Sequence, residues 1–368
     1  MIKIAIVSEP WFPLLGGGQE HAWKLATILA KKHKCKVTIY TRSFGDQDPT
    51  QIKVPTGITI CKLGPKSSFD NLPNRVIFLF FLIFKLVKDR KKYDLIHAHA
   101  YIPGFPAKII SLIINKPVVY TVHGTSLGIK GFHNKLYSLL ERFLLTQIKY
   151  DAEITVSRDF IRIPNKNINV RYIPTGFDSK KYYDIKRNPK KMSILFVGRL
   201  HKQKALKELI LGVGQVRKKF PNIILNIVGE GNERESLENL TKNKGLGKNV
   251  FFKGKMLSKD LEKEYSTTDL FILPSHFEGS PITLFEAWAC GIPVIVNNVG
   301  EMSYMVEDGK NGYLLPNNHP ASIAKTLSFA LKDSNRNKVG LEGKKAAKKY
   351  TWERMTREVY KVYREVLK

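Results

Sequence analysis

The sequence is poor in the residues that usually staple or anchor a chain. Its 368 residues include only three cysteines, Cys35, Cys61 and Cys290. Their spacing matches neither a metal knuckle nor a disulfide framework, which excludes those small scaffolds and points to a reducing compartment. No apolar run is long enough to span a bilayer: the longest, 76–87, is short and contains Lys85. Met1 runs directly into Ile2-Lys3-Ile4-Ala5-Ile6-Val7, so no signal peptide is expected. Low-complexity tracts and internal repeats are also missing.

The other shortage is negative charge. Asp and Glu number 32 against 61 Lys and Arg, a formal net charge of +29. Such an excess suits an anionic partner, whether nucleic acid, a phospholipid surface or an anionic substrate. No RNP, helix-turn-helix or zinc-finger pattern accompanies it, so nucleic acid is not expected. A composition biased to Lys, Ile and Asn also accounts for part of the charge.

What is present is a strand–helix rhythm. With 43% hydrophobic residues, the chain suits a globular α/β protein of two ordinary domains. Strand patterns fall at 2–7, 35–40, 58–63, 94–97, 117–122 and 153–156, and again at 192–197, 223–228, 250–252, 270–273 and 294–296. Helical stretches separate most of them, which implies parallel sheets wound on both faces. The polar, basic stretch 179–191, with Pro189, is the expected linker, and 351–368 a final amphipathic helix.

The chain is organised around 274–293. A β-rich run, Leu270 to Leu273, meets Pro274, and Gly279 permits a tight turn. Ser280 suits the N-cap and Pro281 the first helical position, with Gly291 in the left-handed position past the end and Pro293 blocking continuation. Ile282 and Thr283 then present backbone N–H groups at the positive end of a helix dipole, an anion site. Glu278 stands just before the helix and Glu286 in its second turn. By themselves they also suit a capping charge and a solvated face. Beside a backbone-cradled anion, they suit hydroxyls, which describes a nucleoside diphosphate bearing a sugar and a ribose.

This segment resembles the Glu-x7-Glu motif of retaining glycosyltransferases of the GT-B fold, specifically glycosyltransferase family 4. Phe285 and Trp288 are bulkier than the family's usual choices. Gly198-Arg199-Leu200 followed by Lys204 resembles the family's Gly-Arg-Leu…Lys-Gly, with Ala205 in place of the usual Gly. Arg171-Tyr172-Ile173-Pro174-Thr175-Gly176-Phe177-Asp178 resembles the segment that closes the first domain. The resemblance implies two Rossmann-like domains facing a cleft: 1–180 on the acceptor side, 181–350 binding the nucleotide sugar, and 351–368 returning to the first. It implies Arg199 and Lys204 on the donor diphosphate, Glu278 on the transferred sugar and Glu286 on the ribose. Gly279, Ser280, Ile282 and Thr283 would complete the diphosphate site. Gly17 and Gly18 would line the cleft, with Gly229 and Met256 near the nucleobase. His123, at the end of a strand, would reach a sugar hydroxyl; the family's following Gly-Asp is Gly124-Thr125 here, so an acid is missing.

No metal and no cofactor are expected, only a nucleotide sugar as co-substrate and a glycan or lipid-linked acceptor. Asp46-Gln47-Asp48 spells the Asp-x-Asp of metal-dependent glycosyltransferases, but it sits in a Gly- and Pro-containing stretch without a following strand, and reads as a turn. His97 and His99 could ligate a metal but lack a third ligand, so packing or cleft lining is expected. The apolar run 76–87 and the basic amphipathic stretch 128–150 suit core-facing helices, or contact with an anionic membrane. Alternatives on the same architecture are a nucleotide-sugar epimerase or phosphorylase, and a non-catalytic basic membrane adaptor.

Overall fold

The computed structural model describes residues 1–9, 16–43, 54–65, 72–99, 101–123, 135–163, 166, 169–256 and 259–368. The chain divides into two compact units, Met1–Gly176 with Trp352–Lys368, and Phe177–Thr351.

The first unit runs β1 (Lys3–Ser8), α1 (Gly17–His33), β2 (Lys36–Arg42), β3 (Ile58–Leu63), α2 (Leu72–Lys88), β4 (Leu95–His99), α3 (Tyr101–Ile114), β5 (Val118–Val122), α4 (Lys135–Thr146), β6 (Ala152–Thr155), α5 (Arg158–Ile161) and β7 (Val170–Tyr172). All strand pairs are parallel, in the order β3-β2-β1-β4-β5-β6-β7. β1 and β5 read as nearly continuous apolar runs, and β4 is buried throughout despite its two histidines, because helices cover both faces of the sheet. Their side chains Ala5, Val7, Ile96, Ala98, Val118 and Tyr120 form the core with Phe78, Leu82 and Ile110 from the helices.

The second unit runs α6 (Ser179–Tyr183), β8 (Ser193–Val197), the short 3-10 turn Lys202–Lys204, α7 (Leu206–Val216), β9 (Ile224–Val228), α8 (Arg234–Asn243), β10 (Val250–Gly254), α9 (Lys259–Thr267), β11 (Leu270–Leu273), α10 (Ile282–Ala289), β12 (Val294–Asn297), α11 (Met302–Met305), β13 (Tyr313–Leu315), α12 (Pro320–Lys332) and α13 (Arg336–Ala347). Its sheet is also parallel, in the order β10-β9-β8-β11-β12-β13. Trp288, wholly buried, donates its ring N–H to the Asn311 carbonyl at 2.8 Å, so the bulky choice on α10 is a core anchor. The last helix, α14 (Trp352–Val366), belongs to the first unit and packs on α1 through a stripe that buries Trp352, Met355, Val359, Val362 and Tyr363. Where the chain enters and leaves the second unit, the Phe177 N–H donates to the Tyr350 carbonyl at 3.0 Å, and Phe177 bridges Thr351.

Several expectations are corrected. The stretch 179–191 is no free linker: α6 buries Tyr182, and Arg187 donates to the carbonyls of Gly291 and Thr268 at 2.7 and 2.8 Å. β7 and β13, three residues each, were not anticipated. Of 128–150, only 135–150 is described, as the single helix α4 and its exit. Among the described residues no helix is long and apolar enough to cross a membrane.

Candidate active site

Each sheet reverses strand order once, between β8 and β11 in the second unit and between β1 and β4 in the first. Ligands of open α/β sheets bind at the carboxyl ends of strands at such points. Arg199, Lys204 and Glu278 lie there in the second unit and Gly17, Gly18 and His123 near it in the first, whereas Gly229 and Met256 follow β9 and the edge strand β10.

In the second unit, the loop after β8 and the loop after β11 are joined by Gln203. Its carbonyl accepts the His276 N–H at 2.8 Å, and its side-chain amide donates to the Phe277 carbonyl at 2.8 Å. This clamp brings Lys204 to Glu278. The Lys204 ammonium donates to Glu278 Oε1 at 2.5 Å, and the Ser275 hydroxyl donates to the same oxygen at 2.6 Å. The two charged side chains are 14% and 8% exposed, so water screens the pair poorly. A third loop, after β12, contributes the Glu301 N–H, which donates to the Glu278 carbonyl at 3.0 Å. Glu278 is therefore fixed at both its backbone and its carboxylate.

Arg199, in the turn directly after β8, is exposed. That turn rests on the one after β9: Leu200 N–H donates to the Glu230 carbonyl at 2.9 Å, and Gly198 N–H to the Val228 carbonyl at 3.0 Å. Gly229 has φ of +140°, and a Cβ there would stand 1.9 Å from the Gly198 carbonyl oxygen, so only glycine lets the two turns meet. This gives Gly229 a packing role beneath Arg199. Met256 is half-buried against the second unit's core. Ala205, where the family usually has glycine, adopts a left-handed conformation with φ of 53° and ψ of 39°, straight after Lys204.

The start of α10 lies one residue later than the pattern suggests. Pro281, not Ser280, is the N-cap, with φ of −75° and an extended ψ of 110°, and the first helical residue is Ile282. Proline's fixed φ suits the cap as well as the first turn, so the pattern could not separate the two. Leu284 N–H turns back to the Pro281 carbonyl at 3.2 Å, and Ile282 and Thr283 occupy the first two helical positions, whose N–H groups have no partner within an α-helix. Gly279 and Ser280 form the half-buried turn before the cap. Gly291 takes φ of +70° after the helix, as expected. Glu286, one helical turn further on, accepts from the Tyr265 hydroxyl at 2.8 Å. Ser275 and Tyr265 were missed by sequence reasoning; Ser275 sits inside the motif, whereas nothing in the sequence links Tyr265 to Glu286.

In the first unit, Gly17 and Gly18 are not loop residues but the first residues of α1, behind an extended Gly16 N-cap. A Cβ on Gly18 would lie 3.4 Å from the His123 ring, so these two selected positions are neighbours. His97 and His99 belong to a larger cluster. His99 Nδ1 and His123 Nε2 are 2.8 Å apart, with the rings stacked, and His21 from α1 meets His123 edge-on at 4.8 Å between centroids. His97 shares hydrogen bonds with the Tyr363 hydroxyl at 2.5 Å and Thr121 Oγ1 at 2.7 Å. Burial lowers the pKa of every ring: His97 to about 3, His123 to about 4, and His21 and His99 well below the usual value, the neighbouring imidazoles adding to the effect for all but His123. At neutral pH the cluster is uncharged, a set of fixed neutral hydrogen-bonding groups. Among the described residues no group of acids, histidines and cysteines is arranged to hold a metal ion. Asp46-Gln47-Asp48, Gly124 and Thr125 lie outside the described residues.

Two parallel-sheet, Rossmann-like units, the second with basic and acidic side chains at its switch point and the first with a cluster of neutral histidines, are the architecture of a glycosyltransferase of the GT-B type. Family profiles agree: "Glycosyl transferases group 1" matches residues 179–348 and "Glycosyltransferase Family 4" residues 15–181. The chain belongs to the group 1, family-4-like glycosyltransferases. It is 27% identical over 391 residues to an uncharacterized glycosyltransferase of Methanocaldococcus jannaschii, covering 99% of this chain and 98% of that one. Sucrose-phosphate synthase from Thermosynechococcus elongatus shares the fold with a TM-score of 0.85 at 22% identity, over 100% of this chain and 99% of the other. Anabaena HepE, in a structure with UDP-glucose, has a TM-score of 0.81 at 19% identity, over 99% and 100%.

Proposed function

We propose that this glycosyltransferase moves a hexose from a UDP- or GDP-linked sugar to a glycan or glycolipid acceptor, with retention at the anomeric carbon and without a metal ion. The observation that carries the reading is the Lys204–Glu278 pair, drawn together by the Gln203 clamp beside the exposed Arg199. Breaking the anomeric C–O bond leaves charge on the departing diphosphate. Arg199, Lys204 and the N–H groups of Ile282 and Thr283 offset it, each charge-assisted hydrogen bond contributing about 1.5–3 kcal/mol net. The acceptor hydroxyl bonds to the anomeric carbon on the face the phosphate leaves, and its proton passes to the departing phosphate oxygen. Glu278 holds hydroxyls of the transferred sugar, Glu286 the ribose, and neutral His123 a further sugar hydroxyl. Near the nucleobase we place Met256 and the turn at Gly229. HepE with UDP-glucose supports a nucleotide sugar as donor.

The net charge of +29 supports work at an anionic surface, which we place at the cytoplasmic face of the membrane, in the synthesis of cell-surface polysaccharide or glycolipid. The test is transfer from UDP- and GDP-sugars with and without EDTA, with the anomeric configuration of the product read by NMR. Retained configuration and full activity in EDTA are expected. An inverted product, or loss on chelation with rescue by Mn²⁺ or Mg²⁺, refutes the corresponding half of the mechanism. Donor epimerised or phosphorolysed without transfer identifies the alternative enzymes, and no turnover of any donor the adaptor.

A further inference from the structure

One side of the first unit's sheet carries an apolar surface that faces water. α2, α3 and α4 connect strands that step in a single direction along the sheet, opposite to the step from β1 to β2. Right-handed crossovers therefore place the three helices together on the side away from α1. Their inner faces share one core through Phe78, Leu82, Ala107, Ile110 and Leu145. A surface helix normally turns polar residues outward. Here Phe80 and Phe84 on α2, Leu112 and Ile113 on α3, and Leu139 and Phe143 on α4 are all exposed, Phe80 by 70% and Leu112 by 75%. A soluble surface seldom carries such a run of large apolar groups on neighbouring helices without a partner.

The exposed charge on these three helices has one sign, the nearest exposed acid among the described residues being Asp151, which pairs with Lys108 of α3 at 3.2 Å. α2 and α3 contain no Asp or Glu, and the acid of α4, Glu141, is buried. Lys88 and Lys91 at the end of α2 and Arg142 beside Phe143 are exposed. A second copy docking through this face would bring those cations against their own counterparts, on a chain already at +29. An anionic lipid surface offers what the face lacks: an apolar layer for the aromatic and aliphatic tips and negative headgroups for the rim.

We propose that the outer face of α2, α3 and α4 is a membrane-docking surface for anionic lipid. This names the surface and the lipid chemistry behind the membrane location given under Proposed function, and rests on that part of the reading; it does not depend on the sugar-transfer chemistry. α3, which the sequence did not single out, supplies its middle.

The test uses the full chain with phosphatidylcholine vesicles, with and without phosphatidylglycerol. Wild-type protein should co-sediment with the anionic vesicles only, and salt should weaken the binding. Phe80→Ser/Phe84→Ser and Lys88→Glu/Lys91→Glu/Arg142→Glu should each lower partitioning roughly tenfold or more. Lys218→Glu/Lys219→Glu/Lys349→Glu, an equal charge change on exposed sites of the second unit, should lower it far less. A Phe84→Trp reporter should shift its emission to the blue on anionic vesicles. The proposal is overturned if the second-unit variant loses as much binding as the first-unit one, if the phenylalanine variant binds normally, or if the reporter does not shift. It is equally overturned by a dimer that the phenylalanine variant dissolves. Nucleotide-sugar turnover in vesicle-free solution, measured on the same variants, should match wild type; turnover absent from wild type too condemns the transfer reading and leaves the surface to the vesicle result.

Discussion

Glu278→Gln separates what Glu278 does for the fold from the ligand role proposed for it. In the free protein, Glu278 Oε1 accepts from both Lys204 and Ser275, with both charged side chains largely out of water. Glutamine keeps the volume and a carbonyl for Ser275 but leaves the Lys204 ammonium without a counter-charge. Removing one partner of a buried pair costs about 3–5 kcal/mol. The retained acceptor and the residual exposure of Lys204 bring the expected loss to about 2–3 kcal/mol. At roughly 2–4 °C per kcal/mol, the melting temperature should fall by about 4–12 °C. Affinity for the free nucleoside diphosphate should move the other way. A Lys204 released from its carboxylate gives the diphosphate a charge-assisted bond of about 1.5–3 kcal/mol, a ten- to hundredfold lower Kd, give or take a factor of about 2. Calorimetry with UDP and GDP, differential scanning fluorimetry and a transfer assay read the three effects on one preparation. The expected result is a less stable protein that binds nucleotide more tightly and transfers sugar poorly. A folded variant with weaker or unchanged affinity for both nucleotides would refute the placement of Lys204 on the diphosphate.

Arg199→Ala should lower kcat by tenfold or more with little change in melting temperature, because the side chain is exposed and the leaving-group charge it meets grows toward the transition state; near-wild-type kcat/KM contradicts this. Glu286→Gln should weaken free nucleoside diphosphate, and Tyr265→Phe, which removes the donor at 2.8 Å, should do so to a smaller degree; unchanged nucleotide affinity in both excludes the ribose assignment. Ala205→Gly should leave stability within about 1 kcal/mol of wild type, since relief of a left-handed alanine, roughly 1–2 kcal/mol, offsets glycine's chain entropy and the loss of a buried methyl, about 0.8 kcal/mol; a loss of more than about 2 kcal/mol rejects the strain. His97 is neutral in the fold, with a pKa of about 3, and protonates in the unfolded chain below about 6.5. Its contribution is thus complete above about pH 6.5 and shrinks as pH falls toward 3, by about 2 kcal/mol at pH 5. The other three rings shift in the same direction, so unfolding temperature and amide protection of β4 and β5 should drop together on acidification; a flat profile from about pH 7 to 5 rules this out.

The sequence was most informative where burial imposed a pattern. β3 and β11 fall on the expected residues, and most other strands within a residue or two; β11, covered on both faces, leaves an unbroken apolar run, whereas β3 is a partly exposed edge strand marked by its β-branched residues. β7 and β13 are too short for any periodicity to register. Pro281 moved from the first helical position to the cap because both demand the same φ. Arg199, Lys204, Glu278 and Glu286 were legible as residues, but their relations were not. Lys204 and Glu278 lie 74 positions apart, and only the Gln203 clamp shows that they meet. The histidine cluster is likewise tertiary: His21 comes from a helix, His97 and His99 from a strand and His123 from a strand end, and the sequence offered two of them as an incomplete ligand set.

The chain leaves the first unit once and returns once, and the two crossings are zipped together by the Phe177 N–H on the Tyr350 carbonyl and the bridge to Thr351. In genetic terms the second unit is a cassette. Its ends are adjacent, the condition under which one folded piece can be spliced into another. Arg199, Lys204, Gln203, Ser275, Glu278 and Glu286 all lie inside it, on one uninterrupted stretch of coding sequence. Two cuts, at 176/177 and 351/352, would move them as a block without parting the Lys204–Glu278 pair. His21, His97, His99 and His123, with Tyr363 on the returning helix, would stay behind with the host. Recombination between relatives can therefore exchange the second unit's cluster while leaving the first unit's intact.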